Sequence, residues 1–167
     1  KLKVHTFKSV KALLKYYLEE ATKSLENTPN ILPPLKEAGV VDKLQLKVGI
    51  NGAEPWTEEM RLQIEENLNV NCFDIYGLCE ITGPGVAMDC IHHKGLHVYE
   101  DHFYPEVLDP VTHEPVADGE TGELVFTTLS KEGVPLIRYR TKDLTSMDRT
   151  PCECGRTLPR IQKFTGR

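Results

Sequence analysis

The sequence predicts an α/β fold, a strand–helix layer with parallel pairing followed by a small antiparallel β sheet or barrel lobe. Two observations carry this. Between residues 44 and 76 a strand pattern, a helix pattern and a second strand pattern follow closely, as in a βαβ unit with parallel strands. After Gly85 helical periodicity stops, and short strand candidates alternate with turn signals. The change of texture divides the chain into residues 1–85, an α/β layer, and 86–167, a β-rich lobe.

The elements follow in order. Val10, Leu13, Leu14, Tyr17, Leu18, Ala21 and Leu25 recur at helical spacing behind Ser9, a capping residue. Residues 27–34 contain three prolines and read as a loop. Leu44, Leu46, Val48 and Ile50 alternate with polar residues and glycine up to an Asn51-Gly52 turn signal. A helix is expected from about Thr57 to Leu68, with Met60, Ile64 and Leu68 on one face and Glu58 and Glu59 at its positive end. Residues 71–76 read as the next strand. Beyond Gly85, strands are expected over 96–98, 104–108, 123–129 and 134–139, separated by Asp-Pro, Asp-Gly, Thr-Gly and Glu-Gly turns.

Composition narrows the function classes. The 167 residues carry 20 basic and 25 acidic side chains, a net charge of -5, with no basic run, which argues against nucleic acid as a partner. No apolar stretch approaches the roughly 20 residues of a membrane span, and no signal peptide is visible. Five cysteines, an odd and unevenly spaced set, suit a reducing, cytoplasmic compartment better than a disulfide scaffold. The first residue is Lys1 rather than Met, so a fragment is expected.

Four segments carry chemistry. The first is Gly52-Ala53-Glu54-Pro55-Trp56 behind Asn51. The second runs from Asp74-Ile75-Tyr76-Gly77-Leu78-Cys79-Glu80 to Gly85. The third links residues 122–128 to Arg138-Tyr139-Arg140-Thr141-Lys142-Asp143-Leu144. The last is residues 160–167, ending Phe164-Thr165-Gly166-Arg167. A glycine turn at the end of a parallel strand lets a nucleotide lie against backbone. Tyr76 offers a ring to stack on adenine, and Glu80 a hard oxygen for Mg²⁺. Asp143 offers acceptors for two ribose hydroxyls, and Arg167 a donor fork for ribose or phosphate. Each has a plainer alternative. Tyr76 can be a strand-end aromatic, Glu80 a solvated acid, Asp143 a turn cap or partner of Lys142 or Arg140, and Glu54 a turn residue.

In this order and spacing the segments resemble consecutive core motifs of the adenylate-forming ligases. Gly-Ala-Glu-Pro-Trp, residues 100–106 (Glu-Asp-His-Phe-Tyr-Pro-Glu) and Arg-Tyr-Arg-Thr-Lys-Asp-Leu are similar to the phenylacetate–CoA ligase branch. The resemblance is strong from about residue 44 onward and weak before it. It implies the central and C-terminal part of the large N-terminal domain of an AMP-forming aryl-acid–CoA ligase. That activity joins a carboxylate to AMP from ATP and then passes the acyl group to coenzyme A. It implies a catalytic, Mg²⁺-binding role for Glu80 and adenosine contacts for Gly52, Ala53, Glu54, Pro55, Tyr76, Gly77, Asp143 and Arg167. Relatives commonly place Thr or Ser where this chain has Cys79, a weaker hydrogen-bonding group.

Cys152-Glu153-Cys154 is a tight knuckle, and Cys90 with His92, His93 and His97 lies about 60 residues earlier. Three thiolates and one imidazole make a tetrahedral zinc set. His97 is the expected fourth ligand, while His92 and His93 stay open, as does a metal-free loop of reduced cysteines. Four protein ligands leave no open position, so the zinc would be a structural staple.

No Ser/Thr/Gly-rich phosphate loop with a following lysine occurs, and the chain ends where the resemblance places an interdomain hinge. The chain alone is therefore expected not to complete ligation. Two other functions remain open: an adenylyltransferase passing AMP to another acceptor, as in a related deazaflavin-cofactor enzyme, and a noncatalytic zinc-stapled nucleotide-binding module. The expected partners are an aryl acid, ATP and CoA, with a homodimer left open.

Overall fold

The computed structural model describes residues 46–52 and 56–166. They all lie in the second of two compact units, Lys1–Leu44 and Gln45–Arg167. The helix and proline loop expected before residue 44, and Ala53, Glu54, Pro55 and Arg167, fall outside the described residues.

The described part opens with β1 (Val48–Gly52), α1 (Glu58–Leu68) and β2 (Asn71–Leu78). β1 and β2 pair in parallel, from Val48 opposite Asn71 to Gly52 opposite Ile75, which is the βαβ unit the pattern predicts. Alternation in β1 is real, but the apolar side chains face outward. Val48 and Ile50 are 52% and 58% exposed, while Gly49 and Asn51 turn toward the sheet's neighbours. The inner side is filled by Cys72, whose Sγ lies 3.0 Å from where a Cβ on Gly49 would sit. Asn51-Gly52 ends the strand and is not a hairpin turn.

Thr57 caps α1, its Oγ1 accepting from the Met60 N–H at 3.2 Å, with Glu58 and Glu59 in the first turn. Asn69 closes the helix in the left-handed conformation at φ 51°. Ile64 and Leu68 are half-buried, whereas Met60 is exposed, so the expected apolar face is partly covered over its later turns only.

The first sheet continues through β3 (Gly83–Met88), β4 (Leu96–Val98), β9 (Arg160–Ile161) and β8 (Met147–Asp148), in the order β1-β2-β3-β4-β9-β8. Every pairing after β1–β2 is antiparallel. The texture change read at residue 85 falls inside β3, so this sheet spans both halves of the sequence. A second antiparallel sheet holds β5 (Phe103–Leu108), β6 (Gly122–Thr128) and β7 (Tyr139–Thr145).

The strand expected over 134–139 is not formed. Val134 and Arg138 have φ of 54° and 49°, outside the extended region, and Pro135 has no N–H to donate. Pairing with β6 begins at Tyr139 and runs through the charged segment to Thr145. One apolar core joins the sheets: Ile81, Val86, Leu96 and Val98 from the first side meet Phe103, Val107, Leu124 and Phe126 from the second. Full burial of a side chain such as Leu or Phe contributes about 1.5–3 kcal/mol, which makes this cluster the principal tie between the layers.

Candidate functional site

The sequence motifs converge at the end of β2. At Gly77 the register with β3 shifts, and a Cβ there would lie 2.0 Å from the Gly83 carbonyl oxygen. Only glycine permits that approach, and it sharply turns the chain into the Cys79–Glu80 turn. Immediately before it, the Tyr76 hydroxyl donates to Asp143 Oδ2 at 2.7 Å, across 67 residues of sequence. Thr141 Oγ1 accepts from the Asp143 N–H at 3.0 Å, fixing the carboxylate's backbone.

The last motif runs beside β7. Thr165 N–H donates to the Leu144 carbonyl at 2.9 Å, and Leu144 N–H donates to Gly166 at 3.0 Å. This places Phe164 on Tyr76, with ring centroids 4.7 Å apart and planes 28° from parallel. Phe126 lies 6.3 Å from Tyr76 as well. Tyr76 is thus flanked by two aromatic rings, and its polar tip is directed to Asp143.

Beside this stack lies a cavity of about 540 Å³, a size usual for small-molecule sites. Trp56, Arg61, Asp74, His93, Lys163 and Phe164 are among its lining residues. Burial pushes the Asp74 carboxyl above its ordinary value, while the Trp56 side chain, hydrogen-bonded to it, works the other way. Arg61 is committed to Glu58 and to Glu65 at 2.6 Å, and Glu65 in turn accepts from the Cys72 N–H at 2.8 Å. Burial and a neighbouring aspartate, Asp89, both act on Asp74 in the same direction.

Glu80 is exposed in the turn after β2, and its backbone carbonyl accepts from Lys131 Nζ at 2.5 Å. Cys79 beside it is exposed. Gly52 closes β1 against Ile75, whose carbonyl oxygen is 2.6 Å from a Cβ placed there.

The cysteine–histidine set is brought together. Donor atoms of Cys90, His97, Cys152 and Cys154 all lie within 4.8 Å of one another, with the first three residues buried. Cys90 Sγ is 3.8 Å from Cys152 Sγ, and Cys154 Sγ is 3.6 Å from His97 Nε2. A tetrahedral zinc with Zn–S about 2.3 Å and Zn–N about 2.0–2.1 Å has S···S edges of about 3.8 Å and S···N edges of about 3.6 Å. The donor set and these two edges therefore fit zinc. Burial pushes the Cys90 thiol up to about 11, whereas the Cys154 N–H lowers that of Cys152. Burial also depresses His97, which favours the neutral ring a metal requires. His92 and His93 lie elsewhere: His93 Nδ1 sits 2.5 Å from Asp89, and His92 is 3.4 Å from Glu153.

Three residues had no role in the sequence reading. Asp74 sits between Phe73 and Ile75, and a carboxylate inside an apolar strand is itself a signal. Phe164 lies within the last motif, where the sequence alone assigns it no role. Lys131 carries no sequence signal that distinguishes it from other exposed lysines.

The chain is similar to several known proteins. Phenylacetate-coenzyme A ligase of Pseudomonas putida is 58% identical over 125 residues, 74% of this chain and 28% of that protein. The Aromatoleum evansii enzyme of the same name is 50% identical over 139 residues, 82% of this chain and 31% of that protein. Among solved structures, 2-hydroxyisobutyryl-CoA ligase in the postadenylation state, in complex with R3-HIB-AMP, matches with a TM-score of 0.75 at 26% identity. That match covers 82% of this chain and 30% of the other. No family model matches. The chain spans less than a third of the length of these curated relatives, 28% and 31%. It corresponds to a segment of the adenylate-forming CoA ligases and, within them, of the phenylacetate–CoA ligases.

Proposed function

We propose that this chain supplies the adenosine- and metal-binding part of an AMP-forming aryl-acid–CoA ligase, with phenylacetate or a similar arylacetate as the acid. In that reaction a carboxylate oxygen attacks the α-phosphorus of ATP and pyrophosphate leaves. The sulfur of CoA then attacks the acyl carbon, forming the thioester and releasing AMP. The observation that carries the reading is the Tyr76–Asp143 hydrogen bond, which joins two distant motifs beside the cavity.

In this reading Asp143 accepts from the ribose hydroxyls while Tyr76 holds its carboxylate in place. Adenine enters the cavity between Trp56 and Phe164, and Asp74 accepts from its exocyclic amino group. Gly52 and Gly77 leave backbone accessible to the nucleotide, with Ala53, Glu54 and Pro55 shaping the same edge and Arg167 reaching ribose or phosphate. Glu80 is a ligand for Mg²⁺, which when bound neutralises charge developing on the phosphates. Zinc in the Cys90–His97–Cys152–Cys154 set would be a structural staple, and five cysteines with no disulfide among them suit a reducing cytoplasm.

The test compares ligands on the purified chain. AMP is expected to bind at least tenfold more tightly than 2′,3′-dideoxy-AMP in calorimetric titration, roughly the worth of one charge-assisted hydrogen bond. Equal affinities would remove Asp143 from the ribose.

A further inference from the structure

The metal set and the cavity are built from the same pieces of chain. Cys90 stands between Asp89 and His93, both of which line the cavity, and His97 directly follows Leu96, which also lines it. Past the Cys152–Cys154 knuckle, residues 161–165 line the same cavity. Asp89 accepts from the Cys90 N–H at 2.7 Å through one oxygen and meets His93 Nδ1 at 2.5 Å through the other. One carboxylate therefore ties a metal donor's backbone to a cavity side chain.

These two segments are neighbouring strands of one sheet and pack closely between the donors. Leu96 and His97 pair with Ile161 and Arg160. Gly95, at φ 101°, passes so close that a Cβ would lie 2.9 Å from the Ile161 carbonyl oxygen and 2.8 Å from Gln162 Nε2. Arg160 is buried and donates to the Lys94 carbonyl at 3.2 Å and to Asp148 at 2.7 Å, which bridges the loop before β4 to β8. Here β9 is only two residues long, so its ladder alone provides little to hold the wall.

We propose that the Cys90–His97–Cys152–Cys154 metal knot fixes the inner wall of the nucleotide cavity, so that metal and nucleotide binding are coupled. This rests on the zinc and adenosine readings above. Coupling between sites is reciprocal: whatever factor zinc adds to AMP affinity, AMP adds to zinc affinity.

The zinc-loaded chain, the chelator-stripped chain and Cys154→Ser are compared by zinc content, far-UV circular dichroism, tryptophan emission and AMP titration. Trp56 is the single tryptophan and lines the cavity, so its emission reports the wall without any turnover. Losing zinc is expected to shift Trp56 emission and to weaken AMP binding at least fivefold, the lower end of ordinary coupling. Strand content is retained, and returning zinc to the stripped chain restores both signals. In a chelator competition, saturating AMP tightens zinc binding by the same factor.

Unchanged emission and AMP affinity in a zinc-free, folded chain would overturn the inference while leaving both parent readings standing. Absence of zinc from the purified chain overturns it together with the zinc reading. Collapse of strand content on zinc removal also overturns it, because the claim is one of local coupling. If the zinc-loaded chain binds no AMP, the adenosine reading falls, and the Trp56 emission then decides whether the metal fixes the wall.

Discussion

Replacing Tyr76 by Phe removes one hydroxyl and leaves the ring. The substitution therefore removes the O–H···O bond to Asp143 at 2.7 Å and keeps the ring that meets Phe164 and Phe126. Hydrogen bonds to a charged group are worth about 1.5–3 kcal/mol. Both residues are half-buried, so water recovers part of the loss and the low end, about 1.5 kcal/mol, applies. The clean measurement is a double-mutant cycle of Tyr76→Phe and Asp143→Asn by urea unfolding of all four proteins. A coupling energy of about 1–1.5 kcal/mol is expected. Titration of the same proteins with AMP should show Tyr76→Phe weakening affinity about tenfold, since roughly 1.4 kcal/mol is one decade. A coupling energy within about 0.5 kcal/mol of zero, the ordinary error of additivity, would refute the pairing of these two residues as an energetic unit.

Two further outcomes are expected. In the complete ligase, Glu80→Gln should lower ATP-dependent pyrophosphate release at least about 100-fold in a folded protein, and near-normal release would remove Glu80 from the metal site. Glu123 is buried and held below its ordinary carboxylate value by the hydrogen bond from Arg140, Nε to Oε2 at 2.9 Å. Its contribution to stability is present above the unfolded Glu pKa of about 4.3 and is lost as pH falls through the lower folded value. Glu123→Gln should therefore flatten the acid limb of unfolding free energy against pH below about 4.3, and an unchanged slope would exclude that role.

What the sequence made legible was local. Alternation and the helix start signal located β1, α1 and β2, because strand and helix periods differ and Glu58 and Glu59 mark the positive end of the helix. Alternation does not say which face is buried, and in β1 the small residues Gly49 and Asn51 face inward because Cys72 occupies that space. β7 was misplaced by about five residues for a related reason. Its segment Arg140-Thr141-Lys142-Asp143 looks like a loop by composition, yet half of an edge strand can face water. The apolar Val134 to Ile137 run looked like the strand but is bent by positive φ. The grouping of Cys90, His97, Cys152 and Cys154 was legible because thiols and imidazoles are few. The cavity was not, since five separated segments assemble it and Asp74 carries meaning only once its neighbours are known.

The candidate site also depends on the core in a way that no motif displays. The parallel pair β1–β2 supplies Gly52 and Tyr76 at its C-terminal edge, the position where open α/β layers meet nucleotides. The antiparallel sheet supplies Asp143, so the Tyr76–Asp143 hydrogen bond joins the two layers. Phe126 links them: it is fully buried in β6, lies edge-on to Phe103 at 6.3 Å, and flanks Tyr76 at the same distance. A packed interior transmits strain because it has few voids to absorb it. A change that lets the two sheets slide by even half an ångström therefore moves the Tyr76 hydroxyl relative to Asp143. For a bond of 2.7 Å that displacement stretches it to about 3.2 Å, just past the usual 2.5–3.0 Å range for O–H···O, and weakens it. The burial that stabilises the fold is thus the same contact that sets the site's geometry, and core packing and nucleotide affinity should vary together.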